Sequence, residues 1–133
     1  MATKPTEPTT LICIACPVGC NLLATPTGDT AEPIHVAGNR CRIGINHAIK
    51  EMTDPRRVLT TSVKVYPETT SPASSSTYQM LSVKTAGDIP KGLLIDCLKA
   101  IKALHLTGHY QVGDVVLPNV LGTGTDIVAT RTV

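Results

Sequence analysis

Four cysteines carry the clearest chemistry in this sequence. Cys13, Cys16 and Cys20 lie in the string CIACPVGC, spaced by two and three residues, and twenty more residues separate Cys20 from Cys41. Three thiolates on one tight loop form a tripod, and a fourth from a separate turn closes a four-coordinate shell. Structural zinc usually takes two paired knuckles, but no second CxxC pair follows here and no histidine sits a knuckle's distance from Cys41. A tripod with one remote cysteine is the habit of iron–sulfur clusters. Gly19 lets backbone N–H groups approach the sulfurs, which helps to stabilise cluster charge. Arg40 and Arg42 flank Cys41 and suit the net negative charge that four thiolates leave on a cubane. The expected site is therefore Cys13, Cys16, Cys20 and Cys41 around a [4Fe–4S] cluster, with Zn2+ on the same four thiolates as the alternative. Buried thiols without metal, or thiol redox chemistry at Cys13 and Cys16, are the remaining readings. The CxxC spacing supports the last of these, but thioredoxin-type motifs precede a helix in a βαβ context that the sequence does not offer.

The rest of the chain must position these groups. Its 133 residues fit one ordinary domain, and 42% hydrophobic with 17% charged residues suits a folded globule. A net charge of +2 is too small to announce a nucleic-acid binder, and aromatics at 2% (Tyr66, Tyr78 and Tyr110) leave no base-stacking platform. The core must come from Val, Ile, Leu and Ala. No apolar run approaches the roughly 20 residues of a membrane span, and MATKPTEPTT does not read as a secretory signal. Five cysteines is an odd count, which points to a cytoplasmic protein with thiols as ligands or reactive groups and not to a disulfide framework.

The expected fold class is α+β, a small cysteine-bearing β lobe followed by a mixed lobe with short antiparallel strands and one main helix. Residues 1–9 read as a flexible N-terminus, 10–54 as the four-cysteine lobe and 55–133 as the mixed lobe. Strands are expected at 21–25 and 34–37 after a short apolar run at 11–13, then a helix at 43–52 on Ile45, Ala48, Ile49 and Met52, ended by Asp54-Pro55. A strand at 58–66, a polar loop at 67–77 and a returning strand at 80–85 follow. Pro90 opens the main helix with Asp88 as N-cap and an apolar stripe of Leu94, Cys97, Leu98, Ile101 and Leu104. Short strands near 110–112, 115–117 and 127–129 close the chain.

Other residues carry weaker signals. Cys97 lies on the helical stripe and reads as a small buried hydrophobe. His47 and His35 are near enough in sequence to tune a cluster but equally suit packing or solvent, and His105 and His109 read as solvated. The segment GTGTDIVATR lacks both the dinucleotide and the phosphate-loop pattern, so its glycines read as a turn into a strand with Asp126 capping it. Arg56 and Arg57 suit either an acidic partner or simple solvation. No catalytic triad or carboxylate pair can be argued, so the chain is not expected to be an enzyme alone.

The string CIACPVGCNL…VAGNRCRIG resembles the N-terminal iron–sulfur segment of molybdopterin oxidoreductases such as formate dehydrogenases, which show CxxCxxxC and later Cys-x-Lys-Gly. Cys13, Cys16, Cys20 and Cys41 match its ligands and Gly44 its glycine, while Ile43 stands in place of its lysine. The blocks CIACPVGC, VAGNRC, DPRRVLTTSVKV, LSVKTAGDIPK and GDVVLPNVLGTGTDIVATR resemble the small family named domain of unknown function 1667. That resemblance implies a metal-binding accessory subunit of a flavoprotein dehydrogenase resembling glycerol-3-phosphate dehydrogenase. The function expected is iron–sulfur electron transfer within such a complex, and the alternative is a zinc-binding structural or interaction module.

Overall fold

A computed structural model describes residues 6–68 and 77–133. It is an α+β protein that divides into two compact units between Pro55 and Arg56. Most of the segment read as a flexible N-terminus and most of the polar loop at 67–77 lie outside the described residues.

The first unit is an antiparallel meander of β1 (Thr9–Ile12), β2 (Asn21–Pro26) and β3 (Ile34–Ala37), followed by helix α1 (Arg42–Thr53). Strand alternation decides what is buried: Leu22 and Ala24 of β2 are inside, and Leu23 between them is exposed. The inward residues pack with Ile34 and Val36 of β3 and with Ala48, Ile49 and Met52 of α1. Gly44 is buried at the start of the helix, where a Cβ would stand 3.1 Å from Asn39 Cβ and 3.4 Å from Leu22 Cδ2. Among the large apolar side chains, Leu22, Ile34 and Met52 are buried, each contributing about 1.5–3 kcal/mol. So small a core makes a covalent or metal staple physically useful.

The second unit is built on a sheet with strand order β8-β5-β6-β10-β9, comprising β5 (Thr60–Tyr66), β6 (Gln79–Thr85), β8 (Leu106–Thr107), β9 (Val115–Leu117) and β10 (Ile127–Ala129). Its pairs are antiparallel except β5 with β8, which is parallel. A two-residue ribbon joins β4 (Arg56–Arg57) to β7 (Ile89–Pro90), and a 3-10 turn at Lys91–Leu93 leads into α2 (Leu94–Lys102). Cys97 and Ile101 of α2 are buried with Val63, Val65, Leu81 and Val83 of the sheet. A second 3-10 turn, Val120–Gly122, buries Val120 in the same core.

Three expectations change here. Pro90 belongs to a short strand, and the α-helix begins at Leu94. Asp88 does not cap it, because its Oδ1 accepts from Arg56 Nε at 2.7 Å and that ion pair ties β4 to β7. The strand expected at 110–112 is a turn, and the strand in that region is β8. Tyr110 instead exchanges backbone hydrogen bonds with Val133 at 3.2 and 3.0 Å.

Candidate metal centre

CIACPVGC is the loop of the hairpin that joins β1 to β2. The last strand pair is Ile12 with Asn21, and directly beyond it the Cys13 N–H donates to the Cys20 carbonyl at 2.9 Å. Cys13 and Cys20 therefore stand at the base of the loop, with Cys16 between them in the turn. Gly19 has φ +63°, the left-handed conformation that lets the chain return into β2.

The fourth cysteine arrives from β3. That strand ends at Ala37, opposite Leu23 and close to the start of β2, so the chain leaves the sheet at its cysteine end. Gly38 follows with φ +88°, and a Cβ there would collide with the Asn21 carbonyl oxygen. This close crossing delivers Cys41 to the N-cap of α1 in an extended conformation. Its carbonyl accepts from Asn39 Nδ2 at 3.2 Å and from the Gly44 N–H at 3.3 Å, while its side chain makes no capping bond. The thiol is left available at the N-terminus of a twelve-residue helix whose first turn holds no acid.

All four cysteines are free thiols and line one concavity of about 190 Å³ together with Ala15, Val18, Arg40, Ile43 and Gly44. Cys13 is buried, Cys20 half-buried, and Cys16 and Cys41 exposed. Arg40 is the one charged residue in a wall otherwise of carbon and sulfur. A second concavity of about 370 Å³ shares Val18, Cys20 and Arg40 with the first and is otherwise lined by Gly19, Asn21 and Gly38.

The donor set decides what could be held there. Four thiols without imidazole or carboxylate suit zinc or an iron–sulfur cluster. A single zinc ion with bonds of about 2.3 Å draws its sulfurs to within roughly 4 Å of one another. Among the described residues no group of three or more His, Cys, Asp or Glu side chains stands at the spacing that holds one ion.

The other expected site residues fall elsewhere. His35 is exposed on β3, opposite Thr25, and His47 is half-buried on α1; neither lines the thiol concavity. Cys97 is fully buried in the second unit, and burial pushes its thiol pKa up. Cys13 and Cys16 sit in an antiparallel hairpin, not ahead of a helix in a βαβ unit. Gly122 and Gly124 have positive φ and make the turn into β10, where Asp126 Oδ1 accepts from the Asn119 N–H at 2.8 Å. Ala15, Val18 and Ile43 were missed as site residues. Their only signal was apolar character between and beside the cysteines, where a solvated loop would be polar.

A family described as "Protein of unknown function (DUF1667)" matches the chain over residues 42–131. The match takes in DPRRVLTTSVKV, LSVKTAGDIPK and GDVVLPNVLGTGTDIVATR, and it begins one residue past Cys41, so the four cysteines lie outside it. No curated protein and no solved structure matches the chain.

Proposed function

The chain belongs to the DUF1667 family, and from the four thiols at one end of its first unit we propose that it is an iron–sulfur electron-transfer or accessory subunit. The observation that carries this reading is the single concavity lined by Cys13, Cys16, Cys20 and Cys41, with Arg40 as its one charge. Those four residues would hold a [4Fe–4S] cluster, which when bound supplies one-electron chemistry. The chain's own residues set the conditions for it. The β1–β2 hairpin fixes Cys13 and Cys20, and the crossing at Gly38 fixes Cys41. Arg40 and the N-terminus of α1 offset negative charge on the thiolates, which favours the reduced state. Ala15, Val18 and Ile43 place apolar side chains beside the sulfurs, and the surroundings of the sulfurs are the usual protein lever on potential.

The partner in this proposal is a flavoprotein dehydrogenase resembling glycerol-3-phosphate dehydrogenase, as the family resemblance implies. A cytoplasmic setting belongs to the same proposal, because reducing compartments keep such thiols free. Among the described residues no helix is long and apolar enough to cross a membrane.

A second reading has its own support. The small core of the first unit favours a zinc staple on the same thiolates, with no redox role. Metal analysis of protein expressed with both iron and zinc supplied separates the two. The proposal expects iron with equivalent sulfide, lost in Cys41→Ser; one zinc and no sulfide would leave the structural module.

A further inference from the structure

The cysteine end of the first unit exposes large apolar side chains. Ile14, in the cysteine loop, is 80% exposed; Val18, in the same loop, is 56% exposed; Ile43, in the first turn of α1, is 58% exposed. Solvent-facing loops are not normally built from such residues, and apolar side chains at one end of a unit, rimmed by charge, suit an interaction site.

The rim is cationic. Arg40 and Arg42 flank Cys41, and neither makes a hydrogen bond or ion pair among the described residues. By contrast, Arg56 is paired with Asp88, and Arg57 donates to the Arg56 carbonyl. The described acids of the first unit lie toward the other end. Asp29 and Glu32 are in the β2–β3 connection, Glu7 precedes β1, and Glu51 and Asp54 close α1, roughly 18 Å of helix from Cys41. The unit is thus polarised along its length, and the positive end of α1 adds to the cationic side.

We propose that this end of the first unit is a docking surface for a protein whose matching face is apolar at its centre and ringed with carboxylates. The surface gives the electron-transfer reading its partner chemistry, and it rests on that reading only for what the docking is for, not for the docking itself. A second copy of this chain is the poorer occupant, because face-to-face contact would set Arg40 and Arg42 against their own equivalents. A lipid surface is poorer too. Membrane interfaces are anchored by belts of Trp and Tyr, whereas the chain has no Trp and its three tyrosines all lie in the second unit.

Two probe proteins of opposite surface charge test this: an acidic flavodoxin and a basic cytochrome c. Calorimetry with the full chain, purified without oxygen, reads binding at low and high salt. Flavodoxin should bind, with affinity falling about tenfold between 20 and 200 mM salt, and cytochrome c should not. Ile14→Asp should weaken flavodoxin binding by about fivefold or more with the visible absorbance unchanged, while Ile95→Asp on the exposed side of α2 should do nothing. Equal binding of cytochrome c, failure of flavodoxin to bind, or indifference to Ile14→Asp would overturn the proposal. Self-association, or tighter binding to phosphatidylcholine–phosphatidylglycerol vesicles, would do the same in favour of the other occupants. Repeating the titration on protein without iron separates the two claims: flavodoxin binding that survives keeps the docking surface and drops only the electron-transfer role.

Discussion

Cys13 and Cys20 face each other across the base of a hairpin loop, joined by the Cys13 N–H donating to the Cys20 carbonyl at 2.9 Å. The eight-residue span of the tripod is therefore set by β-pairing and not by loop flexibility. Two of the donors come already placed when β1 pairs with β2, which reduces the ordering that metal binding must pay for.

In the proposed site the four thiols act as one set, so losing any one should empty it. Cys20→Ser is expected to lose most of its bound metal, whereas Cys97→Ala, in the core of the second unit, should keep all of it. Elemental analysis of the two purified variants checks this. Equal metal content in both would show that Cys20 is not a ligand.

Gly38→Ala should destabilise the first unit by about 1–3 kcal/mol, since φ is +88° and the new Cβ would meet the Asn21 carbonyl. Gly28→Ala, with φ +77° and nothing within 4 Å, isolates the conformational cost alone, about 1–2 kcal/mol. Hydrogen exchange at Leu22 and Ala24 should quicken more in the first variant than in the second.

Cys97 gives a pH dependence with a definite sign. Burial raises its pKa in the folded state above the ordinary value of 9.0, so above that value the unfolded chain binds fewer protons than the folded one. Its contribution is fully present below pH 9.0 and is lost as pH climbs toward the raised value. Urea unfolding from pH 8 to 10.5 should therefore fall less steeply with pH in Cys97→Ala than in the parent, although the variant starts lower by about 1–2 kcal/mol. Parallel slopes would contradict this assignment.

Leu121 holds φ +51° and is 47% exposed, an uncommon conformation for a branched side chain with no buried contact to repay it. Leu121→Gly should raise the thermal midpoint, with a gain of about 0.5–1 kcal/mol, and Val120→Gly, which removes a buried side chain, should lower it.

What the sequence disclosed followed from local pattern. The alternation in Asn21–Pro26 and the β-branched run in Ile127–Ala129 led to strands where strands are found, and the 3.6-residue spacing of Ala48 and Met52 placed α1. What it hid was long-range. Nothing near Asp88 announces Arg56 as its partner thirty-two residues away, so a local capping rule gave the wrong role. Leu106–Thr107 is a strand only because β5 offers it a parallel edge, and no two-residue pattern carries that information. At the site, the cysteine spacing was legible, whereas the gathering of Ala15, Val18, Arg40 and Ile43 around the thiols depended on the path of the chain through Gly38.

The central claim is that four thiols hold an iron–sulfur cluster, and the absorbance of anaerobically purified protein between 300 and 700 nm tests it most directly, with iron, sulfide and zinc assayed on the same sample. With no Trp and three Tyr, a cluster band near roughly 400 nm would stand clear of the protein's own absorbance. The account predicts brown protein with about four irons and as many sulfides per chain. Colourless protein holding one zinc ion and no sulfide would contradict it.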